Sequence, residues 1–408
     1  MDRIAIWGAG DIGKRTYMSI SDCYKVEAFY DNDCCKWGDK IDGIPILEYT
    51  KKEFLIVIAT ATWKEIAVSL KEMHLEIIKD FIPWWMLEER GVSFVKLLEE
   101  LSSEEINEYF RQVRQKKKVV VIFGNCQTTI LSKMVMFNPD FRREHLIIEI
   151  PRIYEYDNEL LAEKIANSSE LWLNVDLFIY QAVSKNNRFS EYMATDNLIK
   201  KLRDDCQKIC ITNMYFNGYF FQCTPINRPI LPEINKAGLF LFQDYFVDEE
   251  IRKNGTKDID NIIETVNGEG YIDSQIVLNK CNESLAELKK REEKVDVKIC
   301  DWIENKYKEE QIFFSANHPT NALLFEYSNR ILEYLGYSVN KELSETDLYL
   351  QFGTLKGEDM PVYPSVIKAL NLKKYEKNYY PNRFANADYL LDFASYQREY
   401  IYFRWIKL

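Results

Sequence analysis

The amino-acid sequence predicts an α/β protein in which parallel sheets carry the functional positions. Three observations point there. Two short apolar runs, Ile4–Trp7 and Val119–Phe123, each end in a glycine-containing turn and pass into helical sequence. Further apolar runs alternate with charged stretches, the pattern of strands joined by crossover helices. With 408 residues and 47 % hydrophobic content, the chain has material for two or three domains, each with its own core.

In chain order, Ile4–Trp7 is the first strand, followed by Gly8-Ala9-Gly10-Asp11-Ile12-Gly13 and a helix from about Lys14. Val26–Tyr30 is the second strand, Leu55–Ala59 a third, and Trp63–Met73 a helix, which makes residues 1–88 an N-terminal domain. In 89–116, Leu97, Leu98, Leu101, Ile106 and Phe110 recur at near-helical spacing, and Ser102-Ser103-Glu104-Glu105 reads as a helix start. That stretch is a helical linker, and its acidic pairs form a solvated face. A second α/β domain, 117–375, opens on the buried-strand run Val119–Phe123 with a helix from about Thr128. Strands are expected at Leu171–Val175, Lys208–Thr212 and Gln311–Ser315, and charged helices between 249 and 308. From 341 the sequence is aromatic-rich and irregular, and 376–408 forms a mostly helical C-terminal extension.

Charge and composition exclude several classes. Lys and Arg total 53 against 64 Asp and Glu, a net charge of −11, which argues against nucleic-acid binding. The run Lys116-Lys117-Lys118 reads as a strand entry. No stretch reaches the roughly 18 apolar residues of a membrane span, and the N-terminus lacks a signal peptide's apolar region. A cytoplasmic location is expected. Nine cysteines, an odd count, fit thiols in a reducing compartment. Cys34-Cys35 and the pair Cys206 and Cys210 have no partner pair at zinc spacing, so no metal is expected. Only His74, His145 and His318 are available for imidazole chemistry, and the first two read as structural or surface residues.

The first glycine loop sits between a strand and a helix. Glycines there permit a tight turn and the approach of backbone N–H groups to a phosphate, with the helix N-terminus adding partial positive charge. Asp31 ends the next strand, 18 residues after Gly13, where a carboxylate can meet a ribose hydroxyl. This context predicts a Rossmann-like domain. A ligand-free fold that keeps these glycines for packing fits the same pattern. The stretch Ala28-Phe29-Tyr30-Asp31-Asn32-Asp33, through Trp37-Gly38 to Asp42-Gly43-Ile44-Pro45-Ile46, resembles the head domain of PglD-type sugar acetyltransferases. That resemblance covers about 85 residues and implies a nucleotide or nucleotide-sugar ligand rather than NAD, with Gly8, Gly10, Gly13 and Asp31 as its contacts.

Gly124-Asn125-Cys126-Gln127 follows the second buried strand. A side chain at that carboxyl end faces the ligand crevice. The helix N-terminus favours a thiolate, which predicts a thiol below the ordinary pKa of roughly 8.5. Helical N–H groups and the amides of Asn125 and Gln127 are candidate oxyanion donors. A small buried core residue is the competing reading of Cys126. His318, in Ser315-Ala316-Asn317-His318-Pro319-Thr320-Asn321, also follows an expected strand and precedes a helix. Two strand C-termini in one parallel sheet share a face, so the sequence expects Cys126 and His318 together. A histidine with a pKa near neutrality can take and return a proton.

Gly124-Asn125-Cys126-Gln127, Asp176-Leu177-Phe178-Ile179-Tyr180-Gln181, Asn317-His318-Pro319-Thr320-Asn321 and Val362-Tyr363-Pro364-Ser365-Val366 together resemble the ordered motifs of WcbI-type polysaccharide biosynthesis acetyltransferases. The resemblance spans roughly residues 117–375. It implies coenzyme A with an acetyl donor, a capsular or other surface-glycan acceptor, and a core related to SGNH hydrolases. It assigns Asn125, Cys126, Gln127, Gln181 and His318 to the active site, and Gly124 and Asn317 to cofactor contacts. Two departures stand out. SGNH hydrolases carry an aspartate three residues before their histidine, where this chain has Ser315, and their serine nucleophile is replaced by Cys126.

The resulting expectation is an acetyltransferase in which His318 acts as base and Cys126 either accepts the acetyl group or only shapes the site. Lys133, Arg142, Arg143 and Arg152 follow the Cys126 turn and are candidates for coenzyme A phosphates. The competing functions are an SGNH-type esterase or deacetylase, an NAD(P)-dependent oxidoreductase acting through the N-terminal domain, and a scaffold in a glycan assembly complex. Expected partners are a glycan or nucleotide-sugar acceptor, the polysaccharide machinery and a second copy of the chain.

Overall fold

The computed structural model describes residues 2–87, 91–156, 159–187, 189–225, 242–357, 359–379 and 390–406. The chain forms two compact units, Met1–Phe123 with Pro139–Lys208, and Gly124–Asn138 with Ile209–Leu408. No helix among the described residues is long and apolar enough to cross a membrane. None of the nine cysteines forms a disulfide.

The first unit opens with β1 (Asp2–Trp7), α1 (Asp11–Ile20), β2 (Tyr24–Tyr30), β3 (Lys40–Ile41), β4 (Ile44–Leu47), β5 (Leu55–Ile58), α2 (Trp63–Glu72) and β6 (Phe81–Pro83). Their sheet has the order β3-β4-β2-β1-β5-β6 and is parallel except for β3. The expected strands and helices of residues 1–88 are all present, and α1 starts earlier than Lys14. Its glycine turn is held by packing. Gly8 has φ +117°, and its N–H donates to Tyr30 O at 2.7 Å. A Cβ on Gly13 would lie 1.7 Å from Gly8 O, so the two glycines exist for each other; around Gly10 there is open space. His74 lies just past α2, exposed, with a left-handed φ of +62°.

The linker contributes β7 (Val92–Ser93), α3 (Phe94–Glu100) and α4 (Ser103–Val113), with Ser102 and Glu105 forming the expected capping box. Then come β8 (Lys118–Phe123), α5 (Cys126–Phe137), β9 (His145–Glu149), β10 (Leu177–Gln181) and β11 (Gln207–Ile211). The second sheet has the order β11-β10-β8-β9-β7. Asp176 ties its lower edge together. Its carboxylate accepts the Val119 N–H at 2.9 Å, Arg203 at 2.7 Å and Arg114 at 3.0 Å. Burial raises the Asp176 pKa, and the donors outweigh it and hold the carboxyl below its ordinary value. His145 is structural, as expected: it stacks on Phe141 at 4.1 Å, and its Nδ1 lies 3.0 Å from Phe141 O.

The strand expected at Leu171–Val175 is instead the end of a short helix, Ser169–Trp172. Trp172 is buried in that turn and donates its indole N–H to Ile165 O. A short apolar run does not distinguish a strand from a buried helical turn. The sheet takes the next run, Leu177–Gln181.

The second unit contains α5, β12 (Cys223–Pro225), β13 (Phe242–Asp244), β14 (Phe313–Ser315) and β15 (His318–Pro319). The charged stretch forms the expected helices: Tyr245–Asn254, Ile259–Val266, Ser274–Glu292 and Cys300–Lys306. The sequence after 341 is more regular than expected, with helices Glu345–Phe352, Pro364–Leu370 and Phe393–Ile401. The C-terminal segment is anchored on Asp248, which is fully buried. Tyr400 Oη, Trp405 Nε1 and Arg404 Nε each donate to its carboxylate at 2.9 Å. Next to it, the Tyr363 hydroxyl donates to Asp244 at 2.8 Å. Burial pushes the Asp244 carboxyl up to about 7, against the pull of Tyr363 and two backbone N–H donors.

A second correction concerns β14. It pairs antiparallel with β15 in a separate two-stranded ladder and is no member of the parallel sheet. The tight return at Ala316-Asn317 brings His318 opposite Ser315.

The contrast between two loop glycines gives a test of the first unit. Gly13→Ala should destabilise the protein by more than about 2 kcal/mol, and Gly10→Ala should change stability by less than about 1 kcal/mol. Urea unfolding followed by circular dichroism measures both.

Candidate active site

Asn125 caps α5. Its Oδ1 accepts the Gln127 N–H at 3.0 Å, and the Thr128 hydroxyl donates to Asn125 O at 2.8 Å. The helix therefore begins at Cys126, two residues before the expected start, because Asn125 is a strong N-cap residue. Asn125 Nδ2 donates to Asn213 Oδ1 at 2.9 Å. Cys126 is half-buried in the first turn.

Gln127 is wholly buried. Its Nε2 donates to Met214 O at 2.7 Å and to Asn317 O at 2.9 Å, and its Oε1 accepts the Met214 N–H at 3.1 Å. One side chain thus joins the start of α5 to the residue before His318. The helix Asn321–Tyr334 packs along α5. At the far ends, Asn138 Nδ2 donates to Ser338 O at 2.7 Å, and Asn340 Nδ2 donates to Met134 O at 3.0 Å. N-terminal end meets N-terminal end and C-terminal end meets C-terminal end, so the two helices run parallel. Their partial positive charges converge on the corner that carries Cys126 and His318. Such a corner stabilises a thiolate, an oxyanion or a phosphate.

His318 is 9 % exposed. Burial pushes its pKa down to about 4, well below the near-neutral value expected from sequence. The imidazole is therefore neutral at pH 7 and able to accept a proton. Ser315, directly across the ladder, is fully buried, and its Oγ has no hydrogen-bond partner among the described residues.

The other sequence-derived residues fall in several places. Gly124 is buried between β8 and the cap, and Asn317 contributes its carbonyl to Gln127. The Gln127 amide, expected as an oxyanion donor, is instead a strut. Gln181 is buried at the carboxyl end of β10 in the first unit, one residue past the pair of Tyr180 with Phe123. Lys133 donates to Phe352 O at 3.2 Å, while Arg143 pairs with Asp140 and Arg152 with Glu155. Arg142 accepts Lys117 Nζ on its carbonyl. In the glycine loop, Asp31 is engaged by its own neighbours. Its Oδ2 accepts the Ala9 N–H at 2.8 Å and Lys36 at 3.0 Å, and its Oδ1 accepts the Asp33 N–H at 2.9 Å. Burial raises its pKa, and these donors reverse the shift and hold the carboxyl below its ordinary range.

Asn213 and Met214 were not singled out by sequence. The available signal was their place just after the strand expected at Lys208–Thr212, since residues at the carboxyl ends of parallel strands line the crevice.

Comparison with known proteins places this geometry. The family described as "Polysaccharide biosynthesis enzyme WcbI" matches residues 119–340, more than half of the chain. The chain belongs to the WcbI family. The match contains Asn125, Cys126, Gln127, Asn213 and His318, and leaves out the glycine-loop domain and everything after residue 340. A solved structure of WcbI, described as a polysaccharide biosynthesis enzyme and as native protein without a disulfide bond between CoA and a cysteine, has a similar fold. The TM-score is 0.51 at 22 % identity, over 62 % of this chain and 80 % of that one. A search of curated proteins finds no match.

Two outcomes follow from this site. Gln127→Leu leaves Met214 N–H and two carbonyls without their partner and should cost roughly 2–5 kcal/mol in chemical unfolding. For His318, the folded pKa of about 4 lies below the ordinary 6.5. Between those values the unfolded state binds more protons, so folding weakens as pH falls. Relative to His318→Asn, the wild type should lose roughly 3 kcal/mol of stability between pH 7 and pH 4, measured by urea unfolding of both proteins.

Proposed function

We propose that this member of the WcbI family transfers an acetyl group from acetyl-CoA to a hydroxyl of a capsular or other surface-glycan precursor. The observation that carries this reading is the Gln127 clasp, which sets two parallel helix N-termini, and with them Cys126 and His318, at one corner. Family membership supports a polysaccharide substrate. The mention of CoA and a cysteine for the similar WcbI structure supports coenzyme A at this corner.

In the covalent route, Cys126 gives its proton to neutral His318 and its sulfur adds to the thioester carbonyl. The bond from the acetyl carbon to the coenzyme A sulfur breaks, and that sulfur takes the proton back from His318. The sugar hydroxyl then gives its proton to His318 while its oxygen bonds to the acetyl carbon; the bond to Cys126 sulfur breaks, and that sulfur takes the proton from His318, restoring the thiol and the neutral imidazole. N–H groups and dipoles of the two helices oppose the charge on each tetrahedral oxyanion. Direct transfer uses the same base and leaves Cys126 unacetylated. Hydrolysis by an SGNH-type site would put water where the sugar hydroxyl attacks.

The glycine-loop domain is proposed to hold a nucleotide or nucleotide-sugar at the open side of Gly10, with Gly8 and Gly13 shaping the turn. An NAD(P)-dependent oxidoreductase has less support, because the matched family is described as a polysaccharide biosynthesis enzyme and its match leaves the glycine-loop domain out. A cytoplasmic place, and a second copy of the chain or the polysaccharide machinery as partners, belong to the same proposal.

Thermal unfolding with CoA, acetyl-CoA, NADH and UDP-sugars tests it. CoA species at 100 times Kd should stabilise the protein by about 2.7 kcal/mol. Acetyl-CoA should add one acetyl group to the wild type and none to Cys126→Ala by intact mass. A shift with NADH and none with CoA would sink the reading.

A further inference from the structure

The late motif Val362-Tyr363-Pro364 opens the helix Pro364–Leu370, beyond the family match. Pro364, Ile367, Lys368 and Asn371 recur at helical spacing and line one wall of a cavity of about 460 Å3. That volume lies within the range of small-molecule sites, roughly 300–1,000 Å3. Asn371 ends the helix in the left-handed region, φ +52°, where asparagine is tolerated better than most residues.

The rest of the lining is largely aromatic and acidic. Tyr375, Tyr379 and Phe393 supply ring surface, and Glu376 a half-buried carboxylate. The Glu376 carboxylate accepts Lys356 Nζ at 2.7 Å, and the Tyr379 hydroxyl donates to Glu376 O at 2.6 Å. At the rim, Lys368 pairs with Glu269 at 3.2 Å, and Lys377 lies 5.9 Å from the Tyr375 ring centroid. Among the lining residues two lysines face two glutamates, so the cavity carries no net charge.

This part of the lining shares its backbone frame with the candidate active site. Gln311 N–H donates to Lys374 O at 2.8 Å, and Gln311 Oε1 accepts the Glu376 N–H at 3.0 Å. Met360 N–H donates to Phe314 O at 2.9 Å. The segment 309–315 that leads to His318 is thus flanked by the chain that builds the cavity.

We propose that the cavity is a carbohydrate subsite that takes an uncharged pyranose unit of the glycan acceptor. Ring faces suit the C–H face of a pyranose. A carboxylate and a side-chain amide suit its hydroxyls, which both donate and accept. Charge balance disfavours a uronate or a sugar phosphate. The word acceptor rests on the acetyl-transfer reading; the sugar site itself does not.

Saturation-transfer NMR and calorimetry with maltotriose, cellotriose and mannotriose test the proposal, with trigalacturonate as the anionic control. At least one neutral trisaccharide should bind the wild type and Cys126→Ser alike, and trigalacturonate should bind more weakly. Tyr375→Ala should weaken binding at least tenfold, Tyr375→Phe should largely retain it, and Glu376→Gln should fall between. Far-UV circular dichroism and a thermal midpoint close to the wild type certify that these variants fold. No neutral sugar binding at millimolar concentration, or binding unaffected by Tyr375→Ala, overturns the proposal. Sugar binding without any response to CoA would overturn the acetyl-transfer reading alone.

Discussion

Gln127 has no access to solvent, so water cannot replace the hydrogen bonds its amide makes. Those bonds reach two different loops: the one after β11, through Met214, and the return between β14 and β15, through Asn317. The register of α5 against the helix Asn321–Tyr334 depends on this contact at one end and on Asn138 and Asn340 at the other. Parallel alignment of two helices sets like dipole ends together, a modest repulsion that a negative group nearby would offset. A thiolate, a developing oxyanion or a phosphate is such a group. The packing constraint and the chemistry therefore point to the same residues.

The sequence was most informative where a residue type has one physical reason to be present. The glycine turn after β1 and the capping box at Ser102 were legible for that reason, and so was the strand–helix junction at Cys126. The strand at Leu177–Gln181 was displaced to Leu171–Val175, because apolar content does not distinguish a buried helical turn from a strand. His318 was expected on the parallel sheet. It sits on a two-residue ladder made by a tight local return at Ala316-Asn317, too short for apolar periodicity to reveal. Asn213 and Met214 could not be weighted without knowing that Asn125 and Gln127, more than eighty residues away, would reach them in turn. An amide beside a cysteine has the composition of an oxyanion donor, and the bonds that Gln127 makes to Met214 and Asn317 are visible only in the fold.

The glycine-loop domain shows how packing alone can fix a glycine motif. Gly8 and Gly13 are required by their mutual approach whether or not a ligand is present. Asp31 stiffens the same loop by accepting the Ala9 N–H. A ligand there would meet a preformed turn, with its entry side at Gly10, and would share Asp31 with existing donors rather than find it idle. Preorganisation of this kind lowers the ordering cost of binding and narrows the range of ligands that fit.

His318 and Asp244 are buried ionisable groups displaced in opposite senses by the same desolvation. Neutral His318 costs the fold nothing at neutral pH and becomes a penalty as pH falls from 6.5 towards 4. Asp244 behaves the other way. Its folded pKa of about 7 exceeds the ordinary 3.8, so the folded state binds more protons between those values and stability declines as pH rises. The two contributions overlap across the mildly acidic range and partly cancel in the total. A pH profile of the wild type alone would hide both, and only a difference against a single-site variant isolates either group.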